Sequence, residues 1–459
     1  MTIRRLLVAN RGEIALRVVR ACRELGVESV AVHSSADADS PAVRLADAAV
    51  HIGPPSPRAS YLHIPSIVEA ARNSGADAVH PGYGFLSEDP DFAEVCADAG
   101  LMFVGPPPQV MQRLGDKSAA RAAMAEAGLP LLPGTVAPVA TAAEGARVAG
   151  DIGYPVIIKA VAGGGGRGMA VVHRAGDFAR AFAETTAAAH AVFRDGRVYV
   201  ERYLTGARHV EVQVLCDAHG AGVHLGERDC SVQRRHQKLI EETPSTCLTP
   251  SLRARMGAAA VRGALAVGYR GAGTMEFLVD DAGRFSFMEM NCRIQVEHPV
   301  TEMVTGIDLV GEQIRVAAGE PLGYRQDAVA LTGAAVECRI NAEDPARGFA
   351  PTPGPLDVVE WPAGPWTRVD SGYASGSRVS PHYDSLLAKV VTWGPDRARA
   401  LARMERALTE LRVQGRGVTT TTEFHRRILR HPAFRAGTHS LRLVEELADN
   451  TTTEKGRAA

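Results

Sequence analysis

Short apolar runs alternate with amphipathic stretches through the first part of the chain. Leu6-Leu7-Val8-Ala9 gives way to a polar turn at Asn10 to Glu13, then to a helical pattern from about Ile14 to Leu25 that stops at Gly26, and then to Glu28 to Val32. Ala78-Val79 and Met102-Phe103-Val104 repeat the short apolar run. Runs of this kind have both faces covered, and the intervening helices supply the cover, so a parallel sheet is expected. Residues 1–115 are read as an α/β domain of Rossmann-like topology.

From residue 116 the pattern changes. Gly153 to Ala160 reads as a strand, Gly163 to Gly168 as a glycine loop, Ala170 to His173 as a second strand, Ala175 to His190 as a helix and Arg197 to Glu201 as a further strand. This predicts a small α+β lobe set between two others. From His209 strict alternation takes over: Val210, Val212 and Val214 share one face while His209, Glu211 and Gln213 share the other. An antiparallel sheet with a polar working face is expected, within a region extending over 116–330. A mixed α/β portion, 331–447, follows, with Gly- and Pro-punctuated strands at Gly348 to Pro355 and a helix from about Asp396 to Leu411; residues 448–459 form a polar tail. The fold class is therefore α/β combined with α+β.

The most informative local pattern is the hairpin from Gly273 to Asn291. A turn centred between Ala282 and Gly283 sets Glu276 directly opposite Glu289. Facing carboxylates repel, and a hard divalent cation bound by carboxylates and substrate phosphates would remove the penalty. An exposed pair pointing to water explains the pattern as well. The parity then continues: Glu289, Asn291, Arg293, Gln295 and Glu297 fall on one side, while Met288, Met290, Cys292, Ile294 and Val296 fall on the other. A strand carrying acids, an amide and an Arg along one side suits an anionic substrate with a base beside it.

Charge narrows the choice of partners. Lys and Arg number 51 against 52 Asp and Glu, a formal net charge of −1. That balance excludes binding nucleic acid by bulk charge and argues against an electrostatically held membrane protein. The first apolar run is too short for a signal segment and no long apolar span follows, so a cytoplasmic location is expected. Seven Cys without a Cys-x-x-Cys pair read as buried thiols. Lys is scarce, and Lys117, Lys159 and Lys238 sit in places suited to phosphate or anion contact, though for any single one a random remnant of the composition bias is the simpler account. The glycine loop is neither a dinucleotide fingerprint, because a strand follows it, nor a Walker A loop, because no Gly-Lys-Ser/Thr is present. It can lie over a polyphosphate, though a merely flexible hairpin accounts for it equally well.

Glu289-Met-Asn-Cys-Arg-Ile-Gln-Val-Glu-His-Pro-Val-Thr-Glu302 resembles the biotin carboxylase family of ATP-grasp enzymes. The resemblance extends through Val8-Ala-Asn-Arg-Gly-Glu-Ile14, His80 to Glu88, Gly163 to Met169, Glu227 to Lys238, Val336 to Asp344 and Tyr383-Asp-Ser385, covering roughly residues 3–445. It implies a Rossmann-like N-terminal domain, an ATP-grasp domain over 116–330 with a mobile lid of about 131–204, and a C-terminal domain. It also implies ATP contacts from Lys117, Lys159, Gly164, Gly165, Gly166, Gly168, Met169, Glu201, Leu204, His209, Gln233 and His236, together with Glu276 and Glu289. Glu276, Glu289 and Asn291 would hold Mg²⁺ or Mn²⁺. Lys238, Arg293, Gln295 and Val296 would hold bicarbonate, Glu297 would be the base, and Arg339 would stabilise the biotin enolate. Arg202 and Cys292 stand where many members carry Lys and Thr, and Gly415 to Val444 matches the family least distinctly.

The implied activity is ATP- and bicarbonate-dependent carboxylation of biotin, in the first half-reaction of an acetyl- or propionyl-CoA carboxylase. No Lys is flanked by Met, so the biotin is expected on a carrier protein or domain. The resemblance further implies a carboxyltransferase partner and a homodimer as the assembly. Two rivals are a carbamoyl-phosphate-type ATP-grasp ligase and a non-catalytic nucleotide-binding protein with a regulatory role. The former would use ammonia as acceptor, and the latter has no need for Glu297 and Arg339.

Overall fold

The computed structural model describes residues 2–135, 137–162 and 168–447. Gly164, Gly165 and Gly166 of the glycine loop and the tail 448–459 lie outside the described residues. The N-terminal part is the expected parallel sheet, built from β1 (Arg5–Val8), β2 (Glu28–Ser34), β3 (Ala48–Gly53), β4 (Ala78–His80) and β5 (Met102–Phe103) in the order β3-β2-β1-β4-β5. Helix α1 (Gly12–Leu25) starts inside the stretch read as a turn and ends at Gly26, whose φ of 68° is the left-handed closure that glycine permits. Its buried face, Ile14, Val18 and Val19, joins Leu6 and Val8 in a core shared with Leu215, Ala272 and Ile294. The first domain is thus welded to the segment that carries the polar ribbon.

The small lobe is a three-stranded antiparallel sheet of β6 (Val156–Ala160), β7 (Met169–Val172) and β8 (Val198–Arg202), in the order β7-β6-β8. Helix α2 (Phe178–Phe193) covers it, with Phe178 buried against Val156, Ile158 and Val200.

An antiparallel sheet of eight strands forms the body of the molecule. It comprises β9 (Arg208–Cys216), β10 (Gly222–Arg234), β11 (Gln237–Thr243), β12 (Gly271–Val279), β13 (Phe285–Asn291), β14 (Ala334–Asn341), β15 (Thr367–Ser371) and β16 (Leu386–Gly394). The order is β13-β12-β9-β10-β11-β14-β16-β15, so the sheet runs unbroken through strands on both sides of residue 331. Helix α3 (His298–Thr305) lies in sequence between β13 and β14.

Two local expectations change in the structure. The β12–β13 turn is centred one half-residue earlier than expected, pairing Val279 with Phe285 and Phe277 with Phe287. A bulge at Met288 then restores the offset, and Glu276 does pair with Glu289. The ribbon after Asn291 is not a strand. The backbone bends and turns into α3, whose first turn contains Pro299, a residue that suits a helix start and cannot donate to a ladder. Alternation survives to Ile294 and then inverts: Val296 is half-buried and Glu297 is fully buried.

Candidate active site

The polar face of β9 is buried, not open. Its apolar side, Val210, Val212 and Val214, packs with Met275 and Phe277, while Glu211 and Gln213 on the other side are fully enclosed. What makes this tolerable is Arg228, which β10 places opposite Glu211. Its guanidinium, wholly buried, donates to Glu211 Oε1 at 2.6 Å, Gln213 Oε1 at 2.7 Å, and Thr274 and Thr301 Oγ1 at 3.0 Å. A buried charge has to be paired and hydrogen-bonded in this way.

Lys238, on β11, reaches into the same space. Its Nζ lies 2.5 Å from Glu211 Oε2, 2.6 Å from Glu297 Oε1 and 3.2 Å from Glu276 Oε1. Burial alone would lower its pKa, but Cys230 and the three carboxylates raise it well above the ordinary value. Ligand atoms of His209, Glu211 and Glu276 cluster within 4.8 Å, as do those of Glu211, Cys230 and Glu297, and both groups share the Lys238 ammonium as their cation.

Glu297 occupies the middle of the site. Lys238 holds one oxygen, and Arg339 Nη2 holds the other at 2.9 Å. Burial would raise its carboxyl pKa, yet Lys238, Arg339 and Arg228 together hold it well below the usual range, so it is ionised. Arg339, on β14, also donates to Glu241 Oε1 at 2.6 Å. Burial first, and then Glu297, push the Glu241 carboxyl up to about 7 against the opposing Arg339. Opposite Glu241 sits Glu337, with neither oxygen partnered among the described residues, and burial followed by Glu241 raises it well above the ordinary value.

The expected metal group fits in its donor set. Glu276 is held below the ordinary value, with burial opposed by Lys238 and His209, whose Nε2 lies 2.9 Å from Glu276 Oε2. Glu289, half-exposed, faces Lys117 Nζ at 3.3 Å. Asn291 Nδ2 donates to Glu276 Oε1 at 2.8 Å while its oxygen lies toward Arg293 at 3.4 Å, so ligation through Asn291 requires the amide to turn over. Arg293 is gripped by Glu88 Oε2 at 2.9 Å and donates to Gln295 Oε1 at 2.9 Å, while Gln295 in turn donates to Glu276 at 3.2 Å.

In the small lobe Lys159 Nζ lies 2.6 Å from Glu201 Oε2, and Arg121 takes the other oxygen. Gln233 Nε2 and His209 Nδ1 are 3.2 Å apart. His236 projects from the two-residue β10–β11 turn, where Arg235 and His236 both have positive φ, 48° and 67°. Its imidazole pKa is lowered first by burial and then by Lys159 and His209. Gly168, Met169 and Leu204 add no charged group to the cluster. Sequence reasoning did not single out Glu88, Arg121, Glu211, Arg228, Glu241 or Glu337. The alternation of β9 carried the signal for Glu211.

Three family models match consecutive parts of the chain. Residues 2–111 match the biotin carboxylase N-terminal domain, 116–325 the ATP-binding domain of the carbamoyl-phosphate synthase L chain, and 337–446 the biotin carboxylase C-terminal domain. A biotin carboxylase of Nostoc sp. is 52% identical over 447 residues, which is 97% of this chain and 100% of that relative. The chain belongs to the biotin carboxylase family. It is an ATP-dependent ligase of the carbon–nitrogen-bond-forming kind. Among its relatives, biotin carboxylase 1 of Bacillus subtilis is 50% identical over 96% of this chain and 98% of the relative. The biotin carboxylase domain of Hydrogenobacter thermophilus 2-oxoglutarate carboxylase, solved as a dimer with MgADP, ADP and bicarbonate, superposes with a TM-score of 0.93 at 44% identity, covering 97% of this chain and 98% of that one. No helix among the described residues is long and apolar enough to cross a membrane.

Proposed function

We propose that this biotin carboxylase performs the first half-reaction of an acyl-CoA carboxylase, carboxylating biotin borne on a carrier protein. The observation that carries the reading is the ionised Glu297 held between Lys238 and Arg339, with Arg293 and Gln295 alongside. Bicarbonate is a poor nucleophile. Glu297 takes its proton while Lys238, Arg293, Gln295 and Val296 hold the anion against the γ-phosphate of ATP. Attack of the bicarbonate oxygen on phosphorus expels ADP and leaves carboxyphosphate, which separates into CO₂ and phosphate. The phosphate removes the ureido proton of biotin, Arg339 stabilises the enolate oxygen, and the ureido nitrogen attacks CO₂.

ATP is held by Lys117, Lys159, Glu201, His209, Gln233 and His236, with the glycine loop and Met169 and Leu204 beside it. Glu276, Glu289 and Asn291 would hold Mg²⁺, which supplies charge neutralisation on the phosphates when bound. The domain limits of this reading are 1–115, 116–330 and 331–447, with the eight-stranded sheet crossing the last boundary, and a lid of about 131–204 that excludes water would protect carboxyphosphate from hydrolysis. Homodimerisation, a carboxyltransferase partner and a cytoplasmic setting complete the reading.

Purified chain is expected to cleave ATP only when bicarbonate and free biotin are both supplied, and the biotinylated protein that co-purifies with it is expected to belong to an acyl-CoA carboxylase. Cleavage driven by ammonia in place of biotin would instead mark a carbamoyl-phosphate-type ligase, and ATP binding without turnover a regulatory protein. Full biotin carboxylation by Arg339→Ala would contradict the site assignment.

The Glu297–Arg339 contact also sets a pH dependence. A cation beside a carboxylate favours its ionised form, so removing one raises the carboxyl pKa. Arg339→Gln should therefore move the acid limb of the residual bicarbonate-dependent ATP cleavage upward by roughly one to three pH units. A pH–rate profile checks this, and an unmoved limb would separate that limb from Glu297.

A further inference from the structure

Four of the five Lys residues lie within the described part of the chain, and Lys389 is the one to which no role has been given. It is fully buried on β16, directly opposite Arg339 of β14 in the sheet register. Its Nζ donates to the carbonyl of Val296 at 2.8 Å and lies 3.0 Å from Glu13 Oε1. Glu13 comes from the first turn of α1, and the Tyr83 hydroxyl donates to the same oxygen. One ammonium thus ties together the N-terminal domain, the turn before α3 and the last part of the sheet.

The carbonyls of Gln295 and Val296 in that turn are both anchored. The Gln295 carbonyl accepts from the His298 amide at 3.3 Å and lies 2.7 Å from its ring Nδ1, while the Val296 carbonyl is taken by Lys389. In a trans peptide the N–H points opposite to the C=O. The amides of Val296 and Glu297 are therefore turned away from these anchors, and neither has a hydrogen-bond partner among the described residues. Two adjacent unpaired N–H groups at a helix start, beside Arg293 and Lys238, form a site for a small anion.

We propose that Lys389 is a positioning residue that fixes the Val296–Glu297 peptide, so that the Glu297 amide faces bicarbonate and the Glu297 carboxylate stays beside it. The proposal rests on the bicarbonate reading given above. Arg339 steadies Glu297 through its side chain, and Lys389 does so through its backbone, from neighbouring positions on adjacent strands. Glu13 and Tyr83 keep the ammonium in place.

Lys389→Met leaves Glu13 buried without its cation, so lost stability has to be separated from lost positioning. The double variant Glu13→Gln/Lys389→Met removes the stranded charge but leaves the Val296 carbonyl unheld. Thermal unfolding, ADP affinity and the bicarbonate KM are measured on both. The expected result is that the double variant regains stability and binds ADP within about twofold of the parent, yet keeps a bicarbonate KM raised about tenfold or more. A double variant with the parent bicarbonate KM would overturn the proposal by reducing Lys389 to a structural counter-charge. Arg293→Ala serves as the control. A raised bicarbonate KM there upholds the anion site independently of Lys389, whereas an unchanged one removes that reading and the proposal with it.

Discussion

Glu297→Gln is expected to lower bicarbonate-dependent ATP cleavage by roughly 10²- to 10⁴-fold, the usual contribution of a general base. The substitution preserves volume and leaves one carbonyl oxygen for Lys238 or Arg339, so the fold should tolerate it. Nucleotide affinity should change little, because Lys117 and Lys159 meet Glu289 and Glu201, not Glu297. The two bound cations keep Glu297 ionised but also weaken it as a base. In the proposed site bicarbonate would relieve part of that restraint by competing with Glu297 for Lys238. Steady-state ATP cleavage at saturating bicarbonate, paired with ADP titration, checks the expectation. A loss below about tenfold would point to another base, and Glu211, on the far side of the same ammonium, would be the first to test.

The largest stability effect is expected at Arg228. Arg228→Met removes the cation that faces Glu211, Gln213, Thr274 and Thr301, leaving a fully buried carboxylate that shares the Lys238 ammonium with Glu276 and Glu297. Removing one partner of a buried pair costs about 3–5 kcal/mol. Urea unfolding should show it as a lower midpoint. Adding Glu211→Gln should restore part of the loss, since a neutral amide is cheaper to leave enclosed than a carboxylate. If the double variant is no more stable than Arg228→Met, the cost lies in packing the aliphatic stem and not in charge.

Much of this arrangement could be read from the chain before any coordinates. Period-two alternation at His209 to Val214 and short apolar runs near the N-terminus depend on local pattern, and the structure keeps both. The pairing of Glu276 with Glu289 was legible too, although it arises from an earlier turn corrected by a bulge. A bulge leaves no mark in the hydrophobic pattern. The continued strand to Glu297 failed because side-chain alternation outlives the ladder by a few residues; Pro299 was the local sign that a helix begins there. Arg228 and Glu241 were out of reach for a different reason. Their partners are set by register between β9 and β10 and by Arg339 arriving from β14, and such long-range pairings are written in no single segment.

Because β11 finds its outer neighbour in β14, nearly a hundred residues further along, the reacting centre lies on a seam between distant parts of the chain. A shortened chain ending before Ala334 would keep Lys238 and Glu297 but forfeit Arg339, and would bare the backbone of β11 as a sticky border open to self-association. The segment from Ala334 onward is therefore both the source of Arg339 and a guard for the strand that bears Lys238.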